Sequence, residues 1–353
     1  MDKLCVGILY GGKSTEHEVS VHSAAYVCEV LEKKYDIARI FISRSGEWFL
    51  QETCSEQHPG DIPVSPVVAK GHNLICQDGK TFKIDVFFPV LHGTMGEDGT
   101  IQGFFEILGV PYAGCGVLAS ALGMDKEICK ILAAFYGVNT VPYVKVEKEE
   151  FSDIKKIETA VKGLGLPLFV KPVSLGSSIG VSRVDDLKDL KSAIDNAFKY
   201  EGSILIEKGI DKAREVFCGV MGSGNDIQVS LCGELKILNS NFFDYKAKYE
   251  DPHGCDIRCP ALITKETQEK MRKDSAVIFK ALRGSGLARI DFLLGTDGQY
   301  YFSEINTLPG MSATSLFPQL WQETGKQYED ILDLLIKTAF DRKKKNESFS
   351  IER

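Results

Sequence analysis

Two apolar runs flanking a turn signal constrain this chain most. Ala288-Arg289-Ile290-Asp291-Phe292-Leu293 and Tyr300-Tyr301-Phe302 each read as a strand, and Asp297-Gly298 between them is a hairpin signal. Side chains alternate along a strand, so Glu304 and Asn306 share one face. If the hairpin closes, Asp291, Glu304 and Asn306 converge. Two carboxylates and an amide, with no Cys or His among them, suit a hard cation such as Mg²⁺. Pro309-Gly310 then ends the strand and exposes backbone N–H groups beside the cluster. The competing reading is a solvated hairpin face.

The N-terminal part alternates strand and helix. Leu4–Tyr10 reads as a buried parallel strand, Lys34–Ile42 as the second, and Asp85–Leu91 as another. Residues 51 to 80, polar and dotted with Pro and Gly, read as irregular. The span Gly7 to Ser14 matches the Walker A pattern literally. It is rejected, because Ile8, Leu9 and Tyr10 belong to the strand, whereas a phosphate loop needs those residues off it. Gly11-Gly12 instead turns the chain into a helix. Glu16, near its start, is either a carboxylate favoured by the helix dipole or one aimed into a cleft at the strand's end. His92-Gly93, followed by Gly96-Glu97-Asp98-Gly99, is a second loop of that kind. A Rossmann-like α/β domain is expected over 1–120.

A small central α+β domain is expected over 121–212. Asp125 reads as an N-cap, with Ile128, Leu132 and Phe135 as the apolar face of its helix. Lys126 sits in the first turn, where the dipole disfavours a cation. Lys171 lies in the strand Leu168–Pro172, before a loop, Gly176-Ser177-Ser178, rich in backbone and hydroxyl donors. The remaining residues, 213–353, read as an antiparallel-sheet domain. Its strands are Glu215–Val220, Gln228–Leu231 and Glu234–Leu238, and the helix containing Tyr328, Ile331 and Leu335 closes it. Residues 244–260, with Lys248-Tyr249, read as a lid loop.

Composition removes several alternatives. The net charge of −7 over 353 residues disfavours a nucleic-acid partner, and no apolar run approaches a membrane span. Arg342-Lys343-Lys344-Lys345 reads as a solvated helix end. Cys255 and Cys259, with His253 nearby, read as free thiols rather than a zinc site. The N-terminus lacks the order of a signal peptide, so a cytoplasmic protein with reduced thiols is expected. A hard-cation cluster, lysines on two domains and a Gly-Ser-Ser loop together imply a nucleoside triphosphate with Mg²⁺, lying between the second and third domains.

With these motifs in place, the chain resembles the D-alanine–D-alanine ligases of the ATP-grasp superfamily over nearly its whole length. The resemblance rests on Gly11-Gly12 with Ser14, Glu16, Glu18 and Ser20; on Leu91-His92-Gly93 with Gly96-Glu97-Asp98-Gly99; and on Met124-Asp125-Lys126. It continues in Val170-Lys171-Pro172 with Gly176-Ser177-Ser178, in Asp244-Tyr245 with Lys248-Tyr249, in Arg289-Ile290-Asp291, and in Glu304, Asn306, Thr307, Pro309, Gly310 and Ser315-Leu316.

It implies an ATP-grasp fold and the ligation of two D-alanines through a D-alanyl phosphate. Asp291, Glu304 and Asn306 would bind two Mg²⁺ ions, with Mn²⁺ as the alternative. Lys126, Lys171, Lys248 and Ser178 would serve the phosphates, and Glu207 and Glu215 the adenine and ribose. Glu16 would hold the first ammonium, with His92 beside it, and Glu16, Ser177 and Tyr249 would link to fasten the lid. Arg289 and the Gly310 N–H would form the oxyanion hole; Ser315 and the Leu316 N–H would take the second carboxylate. Thr314 is a departure, since the family often has His there. A homodimer is expected. The rival readings are a D-serine or D-lactate acceptor, and a non-catalytic nucleotide-binding regulator on the same fold.

Overall fold

The computed structural model describes residues 3–69, 72–237 and 255–349. The N-terminal apolar runs form β1 (Cys5–Gly11), β2 (Asp36–Ile42), β3 (Trp48–Gln51), β4 (Ile62–Ala69), β5 (His72–Cys76), β6 (Thr81–Phe82) and β7 (Val86–Pro89). They make one sheet, ordered β6-β5-β4-β3-β2-β1-β7. β1 runs parallel to both β2 and β7, so it is an interior strand, buried on both faces. Val6, Ile8 and Tyr10 pack on α1 (His17–Leu31), while Leu9 on the other face joins Phe105 of α2 (Thr100–Leu108). Gly7 lies within β1, where an added Cβ would come 2.8 Å from Ile84. That removes the Walker A reading, since the first glycine of the pattern is a core strand residue.

The expectation of irregular chain over 51–80 is corrected. β4, β5 and β6 extend the sheet as an antiparallel ribbon. Pro63 and Pro66 sit on β4, yet Val64, Leu74 and Cys76 are buried beneath the ribbon. Burial outweighed the local breaker signal, as strand propensity is set largely by what the side chains pack against.

After α3 (Val117–Met124) and α4 (Lys126–Phe135), a second sheet forms from β8 (Tyr143–Glu147), β9 (Leu168–Pro172), β10 (Ser182–Val184) and β11 (Ser203–Lys208). Its order is β10-β9-β11-β8, all antiparallel. One face packs on α5 (Ile154–Val161) and α6 (Leu190–Ala197), whose Ile157, Leu190 and Ile194 meet Val170 and Ile206.

The third sheet holds β12 (Arg214–Ser223), β13 (Asp226–Ile237), β14 (Cys255–Arg258), β15 (Ser285–Leu294) and β16 (Tyr300–Asn306), ordered β14-β13-β12-β15-β16. β13 is one strand where two were expected; it carries a bulge, Ser230 and Leu231 together standing opposite the single residue Gly219 of β12. The loop expected to reach Pro260 is also shortened, because Cys255–Arg258 is an edge strand paired with β13. Residues 244–254 of that loop, with Lys248 and Tyr249, lie outside the described residues, as does His253. Cys259 is a free thiol.

One face of the third sheet packs on α3, α4 and α7 (Lys265–Ala281), where Cys129, Ala133 and Met271 meet Ile290 and Phe292. The other face meets α8 (Leu316–Glu323) and α9 (Tyr328–Glu347). Phe317, Trp321 and Leu335 of these two helices share a single core with Val6 and Ile8 of β1, so the last helices bind the first and third sheets together.

Arg342 departs from the solvated end expected of it. Its guanidinium lies 4.0 Å over the Tyr112 ring, donates to the Tyr112 carbonyl at 2.6 Å, and donates to the Gly114 carbonyl. Arg342→Ala is expected to cost about 2 kcal/mol through lost charge-assisted bonds, read as a lower urea midpoint. An unchanged midpoint would mean the latch contributes nothing. No helix among the described residues is long and apolar enough to cross a membrane.

Candidate active site

The hairpin of β15 and β16 closes through a turn in which Gly295 N donates to Gln299 O at 2.8 Å. Phe292 opposes Phe302, and both are in the core. The register then shifts, so that Asp291 opposes Glu304 and Arg289 opposes Asn306. The shift leaves Ser303 as an extra residue. Strict alternation from buried Phe302 would turn Glu304 into the core. The bulge instead turns Glu304 and Asn306 to the face that Asp291 and Arg289 occupy.

On that face Arg289 grips Asp291 with two bonds, Nε to Oδ1 at 2.7 Å and the second guanidinium nitrogen to Oδ2 at 2.7 Å. Asn306 Nδ2 donates to Asp291 Oδ2 at 3.2 Å. The three expected ligand residues are therefore side by side. Among the described residues no three His, Cys, Asp or Glu side chains cluster as a metal cage. Two carboxylates and one amide fit Mg²⁺, which commonly takes one or two carboxylates and completes its shell with phosphate oxygens and water.

Lysines face this hairpin from the second sheet and α4. Asp125 caps α4, accepting from Ile128 N at 2.9 Å, as its sequence predicts. The misfit cation of the first turn has an explanation. Lys126 is buried, donates from Nζ to the Leu175 carbonyl at 2.5 Å, and lies 3.7 Å from Glu304 Oε2. Burial pushes its pKa down, with Glu304 opposing. Lys171 Nζ lies 2.7 Å from Glu207 Oε2, and Lys130 Nζ lies 3.0 Å from Glu207 Oε1. Burial would raise the Glu207 carboxyl, but Lys130 and Lys171 outweigh it and hold it below the usual range. Lys130 was not legible as a site residue. Its one signal is a spacing of four from Lys126, which many solvated helices share.

The first sheet supplies the third wall. Gly11 must be glycine, since at its φ of 85° a Cβ would lie 2.3 Å from Ile42 O. The turn it makes delivers Glu16, whose Oε1 accepts from Ser177 Oγ at 2.7 Å. The loops of the first and second sheets therefore touch at this carboxylate. Ser177 and Ser178 both hold positive φ, 51° and 58°. His92 is buried, with Nδ1 3.2 Å from Leu308 O and 3.7 Å from Glu97 Oε1, while Nε2 has no partner among the described residues. Burial pulls the His92 pKa down, but Glu97, Glu16 and the Leu308 carbonyl outweigh it and leave it raised. Burial pushes the Glu97 carboxyl up, against the lowering effect of His92.

Beyond β16, Ser315 Oγ accepts from Ser312 N at 3.0 Å and lies 2.7 Å from Ser312 Oγ. A Cβ at Gly310 would come 2.8 Å from Ser315 Oγ, so the two segments close on each other. Ser315 stands at the N-cap of α8 without using its side chain as the cap, and Leu316 opens the helix. Glu215 is half-buried on β12, opposite Leu293 of β15. Lys13 is elsewhere. A Cβ on Gly46 would lie 2.4 Å from Lys13 Cε, so Lys13 covers the turn between β2 and β3.

A Rossmann-like sheet joined to two antiparallel sheets, with lysines of one facing an acidic hairpin of the other, is the ATP-grasp α/β arrangement. Residues 5–115 match the family described as D-ala D-ala ligase N-terminus, and residues 132–337 match D-ala D-ala ligase C-terminus. The chain is 40% identical to a D-alanine–D-alanine ligase of Thermoanaerobacter sp. (strain X514), over 97% of this chain and 98% of that one. It is 38% identical to D-alanine–D-alanine ligase A of Escherichia coli (strain K12), over 97% of each. Among solved structures, the VanG D-Ala:D-Ser ligase of Enterococcus faecalis superposes with a TM-score of 0.85 at 34% identity, covering 96% of this chain and 100% of that one. The D-alanine–D-alanine ligase of Coxiella burnetii gives 0.85 at 29% identity, covering 98% and 97%. The chain belongs to the D-alanine–D-alanine ligase family. It is an ATP-using, ADP-forming ligase acting on small molecules.

Proposed function

We propose that the protein joins two D-alanine molecules into D-alanyl-D-alanine for peptidoglycan precursor synthesis, in the cytoplasm where ATP is held. The γ-phosphoryl group of ATP passes to the carboxylate of the first D-alanine. The amine of the second attacks the resulting acyl phosphate, and phosphate leaves. The observation that carries this reading is the buried Lys126 ammonium, which ties the Leu175 carbonyl, beside the Gly-Ser-Ser loop, to Glu304 on the acidic hairpin.

Each side chain then has a task. Lys126, Lys171 and Lys248 neutralise phosphate charge, with Ser178 donating beside them. Glu207 and Glu215 take the adenine and ribose. Glu16 holds the first ammonium, and His92, whose Nε2 has no partner among the described residues, serves the same substrate. Arg289 and the Gly310 N–H stabilise the oxyanion that develops at the attacked carbonyl. Ser315 and the Leu316 N–H, at a helix N-terminus, take the second carboxylate. Asp291, Glu304 and Asn306 would hold two Mg²⁺ ions, whose chemistry is to neutralise phosphate oxygens. Tyr249, which lies outside the described residues, is assigned with Ser177 and Glu16 to the link that closes the site. The units are assigned to 1–120, 121–212 and 213–353, and two chains form the working assembly.

The acceptor is D-alanine. Leu316 gives the second subsite an apolar wall that suits a methyl group. The D-Ala:D-Ser relative supports a second reading, and a pocket rejects an added hydroxyl only by about two orders of magnitude. Incubation with ATP, Mg²⁺ and D-alanine, alone and against equal D-serine or D-lactate, is expected to give D-alanyl-D-alanine as the main mass. A product dominated by the serine dipeptide or the depsipeptide would transfer the assignment to that acceptor. ADP release without any ligated product would remove the ligase reading altogether.

A further inference from the structure

Lys130 has no task in that scheme, yet it is only 1% exposed, one helical turn beyond Lys126 on α4. Its Nζ is 3.0 Å from Glu207 Oε1, and among the described residues neither atom makes a hydrogen bond of good geometry. The contact is Coulombic. Lys171 holds the other oxygen of the same carboxylate at 2.7 Å. One buried carboxylate therefore has two ammonium partners, one more than charge balance needs. Taking a second lysine out of water is costly, and nothing in the packing of α4, which buries Cys129 and Ala133 on the third sheet, requires a cation there.

We propose that Lys130 is a positioning residue for the nucleotide: it keeps Glu207 compensated and in place, so that Lys171 can turn its ammonium to a phosphate. Without Lys130, Lys171 would be the sole partner of a buried carboxylate, and releasing it would leave that charge bare. Lys171 would then stay on Glu207 and ATP would bind poorly. D-Alanine binding, which uses Glu16 and His92, would be untouched. The inference rests on the assignment of Lys171 to a phosphate.

Steady-state kinetics of the full chain test it. Lys130→Met is expected to raise the ATP KM at least tenfold with the D-alanine KM unchanged, and Lys130→Arg to restore most of the loss. In a Glu207→Gln background, where no carboxylate needs compensating, Lys130→Met is expected to add nothing further. The inference is overturned if Lys130→Met raises the ATP KM equally in both backgrounds, or raises both KM values together. If Lys130→Met does not fold, the double variant decides: it must fold and match Glu207→Gln alone, and any other result overturns the inference. Lys171→Ala separates the two levels. An unchanged ATP KM there removes the phosphate assignment and this inference with it. A raised ATP KM in Lys171→Ala alongside an unchanged one in Lys130→Met removes only the inference.

Discussion

Lys171→Ala is expected to lower kcat/KM by about 10²–10³-fold, about 3–4 kcal/mol of transition-state stabilisation, while Lys13→Ala should leave it within about a factor of two. The two lysines test the two phosphate-binding readings the sequence allows. Lys171 projects from β9 into a cluster with Glu207, Lys130 and, through Lys126, the acidic hairpin. A charge in such a water-poor site acts at low effective dielectric and costs no reorganisation during reaction. Lys13 covers Gly46 on the far side of a turn. Folding should survive Lys171→Ala, because Glu207 keeps Lys130 at 3.0 Å. Thermal midpoints measured beside the kinetics separate lost chemistry from lost structure. Equal losses for Lys13 and Lys171 would overturn the assignment.

The second large effect is expected at the hairpin. Asp291→Asn should lower kcat/KM by about 10²–10³-fold and raise the Mg²⁺ concentration needed for half-maximal rate. The substitution keeps the shape and removes one charge. It weakens the set of two carboxylates and an amide that suits the cation. It also takes from Arg289 the anion that it grips with both nitrogens, so the guanidinium is no longer aimed. Asp297, in the turn of the same hairpin, is the control. Its Oδ1 accepts from Gln299 N at 3.0 Å and it touches none of the cluster. Asp297→Asn should leave the Mg²⁺ dependence unchanged. If Asp291→Asn lost activity with an unaltered Mg²⁺ requirement, Asp291 would act through Arg289 alone.

Where the chemistry is local, the sequence sufficed. Asp297-Gly298 announces its hairpin because few residues adopt the backbone that such a turn needs. Asp125 announces its helix because its side chain can satisfy an N–H three residues on. The strand character of Gly7–Tyr10 follows from the apolar run, and it was enough to discard a literal motif match. Lys126 declared itself as a local misfit, a cation where the helix dipole opposes one. The spacing of Glu304 and Asn306 likewise follows from the period of a strand.

Tertiary structure decided the rest, for reasons that sequence spacing does not carry. A single extra residue at Ser303 chooses the face Glu304 takes, because one unit of register reverses every side chain beyond it. The ribbon of β4 to β6 forms despite Pro63 and Pro66, because Val64 and Leu74 are buried beneath it. His92 meets Leu308 across 216 positions, and Glu16 meets Ser177 across 161, so neither pairing has a local signature. Lys130 is the sharpest instance. On a helix wheel it is an ordinary solvated lysine; only the approach of β11, bringing Glu207 to 3.0 Å, makes it a buried charge with a partner. Residue types and local geometry set which groups this protein can bring to a reaction, and the packing of three sheets decides which of those groups meet, because Coulomb and hydrogen-bond energies depend on distance in space.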